Sequence, residues 1–277
     1  MPGYRIQTGS PTQVMGIVNV TPDSFHDGGR HATTEAAVEH ALRLEEQGAD
    51  ILDVGGESTR PGAASIDMQE EMARVLPVIE GIRARSDHPI SIDTTKANVA
   101  RRALEAGANW VNDVSAGLLD PEILQVAAEA GIPYVLMHMR GTPATMQKDT
   151  RYDDLFGEIR HYFEDRIEAC LAAGIRRDNI LLDPGIGFGK HPSHNYILLG
   201  RLDEFRGYDL PLLLGPSRKS FLKLVGAEDT NDRLPGTLAA VTLCVMQGVE
   251  VVRVHDVHET RQVVDMVLRV HGGGASL

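Results

Sequence analysis

Five times along this chain a helical stretch closes on Gly followed by a small or branched residue, and a few positions later a β-rich run begins. The junctions are Gly48-Ala49 before Ile51-Leu-Asp-Val54, Gly107-Ala108 before Trp110-Val111, Gly131-Ile132 before Tyr134-Val-Leu-Met137, Gly174-Ile175 before Ile180-Leu-Leu182, and Gly248-Val249 before Val251-Val-Arg-Val254. Gly is favoured just past a helix C-terminus, where a left-handed backbone is needed. A chain punctuated in this way alternates helix and strand. Three more runs fit the alternation without the Gly signal: Val14 to Val20, Ile90 to Asp93 after Pro89, and Leu212 to Gly215 after Pro211. The total is eight strands. The intervening segments carry helical periodicity: Val263, Val264, Val267 and Leu268 share one face, and Val38, Ala41, Leu42 and Glu45 mark another face and its edge. Eight parallel strands, each followed by a helix, predict an α/β fold closed as a (β/α)8, or TIM, barrel, with an open doubly wound sheet as the alternative.

With 277 residues and no Pro/Ser-rich linker or low-complexity segment, the chain reads as a single domain over 1–277. Its core should run from about residue 14 to 271, with residues 272–277 as a frayed tail. Lys and Arg number 27 against 39 Asp and Glu, a formal net charge of −12. That balance argues against a general nucleic-acid or membrane-surface binder. Cys170 and Cys244 show no metal or redox spacing and sit in apolar helical contexts, so reduced core thiols in a cytoplasmic protein are expected. The first ten residues lack an apolar signal core, and stretches such as Leu238 to Met246 are too short to span a bilayer.

Each strand ends on a polar group: Asn19, Asp53, Asp93, Asn112 with Asp113, His138, Asp183, Ser217 just past Gly215, and Arg253 with His255 and Asp256. A barrel's active site is built where the C-terminal ends of its strands meet, so these residues should ring one mouth. Capping the next helix is the competing role, and it is preferred for Asp113, Asp120 and Asp256. Two loops, Thr21 to Gly29 and Gly55 to Ala63, exceed the 2 to 6 residues roughly expected after a barrel strand and read as lids. In Gly215-Pro-Ser-Arg-Lys-Ser-Phe221, Ser217 is placed to N-cap a helix whose first amides, near Ser220, could take a carboxylate or phosphate.

The stretch Ile180-Leu-Leu-Asp-Pro-Gly-Ile-Gly-Phe-Gly-Lys190 reads as a buried strand delivering Asp183 to a cleft beside backbone that a ligand can approach. Its GxGxGK spacing fits neither a Walker loop nor a dinucleotide fingerprint. Arg60, Lys219 and Arg253, with His255 beside the last, form a local basic focus for a polyanion on an otherwise acidic protein. Asn19 and Asp93 offer oxygen ligands for Mg²⁺. His138, His255 and His258 lack acidic partners at metal-ligand spacing, which argues against metallohydrolase chemistry. A buried Asp can accept two parallel hydrogen bonds from an aminopyrimidinone, and Asp183, assisted by Asp93 and Asn112, could hold such a ring.

The segments NVTPDSFHDGG, GGESTRPGA, SIDT, VNDVSAG, LMHMRGTP, LLDPGIGFGK, GPSRKSF and VRVHDV occur in this order across residues 16–257. Together they closely resemble the dihydropteroate synthases of folate biosynthesis. The resemblance implies a homodimeric barrel, a target of sulfonamides, that condenses 6-hydroxymethyl-7,8-dihydropterin diphosphate with 4-aminobenzoate and releases pyrophosphate with Mg²⁺. Carried over by motif, Asp93, Asn112, Asp183 and Lys219 hold the pterin, with Met137 and Arg253 against its ring. Asn19, Arg60, Arg253 and His255 surround the diphosphate, Asn19 being the Mg²⁺ ligand. Thr59, Pro61, Phe25, Phe188 and Ser220 form the aminobenzoate site. Thr95, Ile186 and Ala116 are mild departures that remove no chemical group. Two alternatives share the pterin floor: a methyltransferase-like barrel, which would not require the STRPG and SRKS segments, and a non-catalytic pterin-binding subunit, which would be expected to lose the basic cluster.

Overall fold

A computed structural model describes residues 6–21, 30–59 and 62–271 of the chain. The strands are β1 (Gln13–Asn19), β2 (Ile51–Gly55), β3 (Ile90–Asp93), β4 (Trp110–Asp113), β5 (Tyr134–Met137), β6 (Ile180–Asp183), β7 (Leu213–Leu214) and β8 (Val251–Val254). They alternate with α1 (Arg30–Glu46), α2 (Met68–Arg83), α3 (Ala97–Glu105), α4 (Glu122–Ala130), α5 (Leu155–Ala172), α6 (Pro192–Gly200), α7 (Leu234–Met246) and α8 (Val257–His271).

All strand pairs are parallel, in the order β6-β5-β4-β3-β2-β1-β8-β7. The two ends of this row meet through a single parallel bridge, Leu182 to Leu212, with the Leu182 N–H donating to the Pro211 carbonyl at 2.9 Å. The sheet is therefore a nearly closed barrel rather than an open doubly wound sheet. The five glycines at the helix-to-strand junctions, Gly48, Gly107, Gly131, Gly174 and Gly248, all have φ between 64° and 116°. Their left-handed backbone releases each chain from its helix and turns it back to the sheet.

The principal core lies between barrel and helices, where the outward residues of the strands meet the apolar helix faces. Local structure departs from expectation around β7. The strand has two residues, because Gly215-Pro216 follows at once, and the next segment is a 3₁₀ turn, Ser220–Val225, rather than an α-helix. Gly226, at φ 88°, ends that turn, and a second 3₁₀ turn, Thr230–Arg233, leads into α7. The expected tail, 272–277, lies outside the described residues.

Candidate active site

Strand side chains alternate between faces with a period of two, so one face of each strand looks into the barrel. At the lower level the inward residues Met15, Ile51, Trp110, Val135, Leu181, Leu213 and Val251, joined by Ile6 from the N-terminal segment, form a separate apolar cluster. This plug closes the barrel floor. Two residues further along five of these strands the inward positions are Asp53, Asn112, Met137, Asp183 and Arg253, and β3 adds Asp93, which pairs in register with Asn112. One repeat of the pleat thus turns a dry core into a polar chamber at the strands' C-terminal ends, where barrel chemistry is done.

Arg253 organises one side of the chamber. Its Nε donates to Asp53 Oδ2 at 2.5 Å and its terminal nitrogen to Asp93 Oδ2 at 2.7 Å, while Asn112 Nδ2 also reaches Asp53 Oδ2 at 3.2 Å. Asp53 is fully buried, and its Oδ1 has no hydrogen-bond partner among the described residues. Burial pushes the Asp93 carboxyl up to about 7; the Arg253 charge opposes this, and Asp53, Glu71 and Asp113 reinforce it. Opposite, Asp183 is 6% exposed and is pushed up to about 6 by burial, against the Gly185 N–H donating to Oδ1 at 2.7 Å and the charges of Lys219, Lys190 and Arg253. Burial and the Arg253 charge draw Lys219 down to about 8, and its ammonium lies 4.1 Å from the centroid of the Phe188 ring. Met137 and Phe188 share a buried apolar cluster with Val114, Met139 and Met146 beside these charges.

At the rim, burial draws His255 down to about 3, so the imidazole is neutral at pH 7. The Ser217 hydroxyl oxygen accepts from the His255 backbone N–H at 3.2 Å and lies 2.9 Å from Nδ1. A hydroxyl that accepts one bond and donates the other leaves the proton of the imidazole on Nε2. Ser217 therefore braces His255 and is not the helix cap expected from sequence. The turn that follows has Lys219 at its N-cap with no side-chain cap bond, and Ser220 is exposed at its start.

The capping roles also differ from expectation. Asp113 accepts from Ser115 N, Ser115 Oγ, Gly117 N and Tyr134 Oη, and so closes its own loop well before α4 begins. Asp120 accepts from Ala97 N at 2.7 Å and so caps α3, although its other oxygen also takes the Glu122 N–H at 3.3 Å. Asp256 spends both carboxylate oxygens on Arg218.

The chamber therefore brings together Asp93, Asn112, Met137, Asp183, Phe188, Lys219 and Arg253. Asn19 ends β1 half-buried, and Thr59 is half-buried in the loop after β2. Phe25, Arg60 and Pro61 lie outside the described residues. Sequence reasoning missed two contributors. Asp53 was legible as a strand-end carboxylate but not as the partner of Arg253, and Lys190 was legible only as the end of a glycine-rich motif. The period-two offset from the apolar Ile51 is the signal that places Asp53 inside.

The family model for pterin binding enzymes matches residues 15–255. The dihydropteroate synthase of Escherichia coli (strain K12) is 50% identical over 258 residues, covering 93% of this chain and 91% of that relative. The solved dihydropteroate synthase of Xanthomonas albilineans with 4-aminobenzoic acid is 45% identical, with a TM-score of 0.89, covering 99% of this chain and 97% of that one. The same enzyme in complex with 7,8-dihydropteroate aligns at 43% identity and a TM-score of 0.86, covering 96% of each chain. The chain belongs to the pterin-binding enzyme family. Within it, the activity is that of a dihydropteroate synthase, a transferase of folate synthesis.

Proposed function

We propose that the chamber holds the pterin ring of 6-hydroxymethyl-7,8-dihydropterin diphosphate and that 4-aminobenzoate attacks its methylene carbon from the rim, giving 7,8-dihydropteroate and pyrophosphate. The observation that carries this reading is the pair of buried carboxylates, Asp93 and Asp183, facing one chamber with Asn112, Lys219 and Arg253 between them. An ionised Asp183 accepts two parallel hydrogen bonds, from a ring N–H and the exocyclic amine of the pterin. Asp93 and Asn112 take the remaining polar edge, Lys219 donates to ring acceptors, and Met137 and the Arg253 guanidinium flank the ring faces. Arg253 can do so because Asp53 and Asp93 hold its fork in place.

Arg60, Arg253 and His255 receive the diphosphate, the neutral imidazole donating from Nε2. The donor set fits Mg²⁺ arriving with that diphosphate: Asn19 supplies a hard amide oxygen at the end of β1, and such an ion usually takes only one or two protein oxygens beside phosphate oxygens. When bound, Mg²⁺ supplies charge neutralisation on the departing pyrophosphate. The electron-rich dihydropterin can carry positive charge at its methylene, so carbon–oxygen cleavage can run ahead of attack, with the basic side chains stabilising the charge that leaves. The aniline nitrogen is neutral near pH 7 and needs no strong base. Phe188, Thr59, Pro61 and Phe25 enclose its ring, and Ser220 receives its carboxylate. Exclusion of water is assigned to the loops over residues 21–29 and 55–63, of which 22–29, 60 and 61 lie outside the described residues.

The working unit is one domain over residues 1–277, acting as a cytoplasmic homodimer. No described helix is long and apolar enough to cross a membrane. Leu243 and Met246 on α7 and Met266 and Val270 on α8 are exposed apolar side chains suited to a subunit interface. Dihydropteroate formation with pyrophosphate followed in parallel, Mg²⁺ present or chelated, tests the reaction. Product in step with pyrophosphate and dependent on Mg²⁺ supports it; pterin binding with neither product would favour a binding subunit or a methyltransferase-like barrel.

A further inference from the structure

The Gly-Lys that ends the motif after β6 has no part in the chemistry above, yet Lys190 is 1% exposed and among the largest fully buried side chains. Its ammonium lies 2.8 Å from His138 Nδ1, 3.1 Å from the Phe188 carbonyl and 3.4 Å from the His138 carbonyl. Three acceptors match the three N–H donors of an ammonium; a neutral amine would leave one short. These acceptors come from two places. His138 follows the last residue of β5, and its own N–H donates to the Asp183 carbonyl at 2.8 Å. Phe188 belongs to the loop after β6 that also supplies the Gly185 N–H to Asp183 Oδ1. His138 is itself fixed, its ring meeting Tyr162 edge-on at 4.8 Å while the Tyr162 hydroxyl donates to the Met137 carbonyl at 3.1 Å.

We propose that Lys190 is a positioning residue for pterin recognition: its buried ammonium ties the loop after β6 to the end of β5, and so sets the Asp183 carboxylate and the Phe188 ring under the substrate. The inference rests on the pterin-site reading and extends it to a residue that touches no substrate. The same charge acts on Asp183. The groups facing that carboxylate are Lys219, Lys190 and Arg253, all of which favour its ionised form, together with the buried Cys244 thiol of α7. Those facing Lys190 are Asp183, which favours its charge, and Lys219 and Arg140, which oppose it; burial draws it down to about 7. His138, held neutral by burial and by the Lys190 charge, accepts at Nδ1. Lys190 thus couples loop geometry to the charge state of the carboxylate that reads the pterin.

The test is the pH dependence of 6-hydroxymethylpterin binding by calorimetry in Lys190→Met, Lys190→Arg, Asp183→Asn and the unaltered protein, each checked as folded by its thermal transition. Loss of one nearby positive charge should raise the acid limb of Lys190→Met by about one pH unit. On ionisation alone that weakens binding roughly fivefold at pH 6 and less than about twofold above pH 8, with misplacement of the loop adding a factor independent of pH. Lys190→Arg should keep the limb in place. A folded Lys190→Met whose limb stays where the unaltered protein has it overturns the proposal, whatever its affinity, because a filler role would not move an ionisation. Should Lys190→Met fail to fold, Lys190→Gln, which keeps two donors but no charge, carries the same comparison. If Asp183→Asn binds normally, the pterin-site reading itself falls; if it binds weakly while the Lys190 limb is unmoved, only this inference does.

Discussion

Gly185 sits where three requirements meet, and replacing it with Ala tests the loop geometry directly. Its φ is +71°, and an ideal Cβ would lie 2.0 Å from the His138 carbonyl oxygen, a backbone atom that cannot rotate away. The left-handed conformation alone costs Ala about 1–2 kcal/mol. Restoring an ordinary 3.4 Å contact needs a displacement of 3.4 − 2.0 = 1.4 Å. A shift of that size breaks the 2.7 Å bond from the Gly185 N–H to the buried Asp183 carboxylate. A hydrogen bond to a charged group contributes about 1.5–3 kcal/mol. Ala regains about 0.4–1 kcal/mol through the unfolded chain, so the net loss is about 3 kcal/mol, with about 2 to 4 as its range. In a domain of this size that lowers Tm by about 5–15 °C. Gly131→Ala is the control: its φ is +64°, with nothing within 4 Å of an added Cβ, so only the backbone cost of about 1–2 kcal/mol applies, less the same unfolded-chain gain, for a net loss of about 1 kcal/mol. Paired denaturant titrations give both values. Equal losses in the two variants would refute the claim that contact with His138 dictates Gly185.

Other expectations follow from the charges. Pterin affinity should fall as pH drops through about 6, where Asp183 takes a proton, and as pH rises through about 8, where Lys219 loses one; a flat calorimetric profile between pH 5 and 9 would remove both from the pterin contact. Arg253→Met leaves Asp53 and Asp93 without their shared cation and should cost about 3–5 kcal/mol at pH 7.5. Because Asp93 is already held up to about 7, part of that loss should return as the pH is lowered to 6, and urea unfolding at the two pH values reads the recovery. Arg60→Ala should lower kcat by about a hundredfold with 6-hydroxymethylpterin affinity intact, unchanged turnover excluding it from the diphosphate. Chelating Mg²⁺ should stop product formation while leaving binding of that diphosphate-free pterin within about twofold, since the ion is assigned to the diphosphate alone.

The barrel was legible because its signals are local. A glycine that must be left-handed after a helix and an apolar run of four or five residues are each readable within a short window, and their repetition fixed the alternation and the ring of polar strand ends. What the sequence hid was direction and partnership. Asp113 and Asp183 both end strands, and only the pleat separates them: Asp183 lies two positions beyond the inward Leu181, whereas Asp113 lies one beyond Asn112 and points outward to Tyr134. Asp120 takes the first amide of α4 as expected, at 3.3 Å, but its other oxygen makes the shorter bond to the start of α3, 23 residues away along the chain and 2.7 Å away in space. Ser217 differs from its expected capping role for a related reason. A Ser before a polar run reads as a cap, but β7 ends early and its neighbour β8 brings His255 within hydrogen-bond reach.

The charges in the chamber show why such a site needs a complete barrel. Asp53, Arg253 and Asp93 come from β2, β8 and β3, which lie within one stretch of the strand row, whereas Asp183 and Lys219 come from β6 and the loop after β7, the two ends of the row that closure brings together. Burial raises Asp93 and Asp183 above the usual carboxylate range, so between about pH 4 and 7 the folded chain holds more protons at these two groups than the unfolded chain does. The sign is fixed: as pH rises through that window, ionising them costs stability in the ligand-free protein. A pterin that donates to the ionised Asp183 reverses that term. Asp183, whose ionisation burial opposes in the empty barrel, therefore gains when the ring arrives, and the packed loops around Gly185 and Lys190 hold it out of water in the meantime.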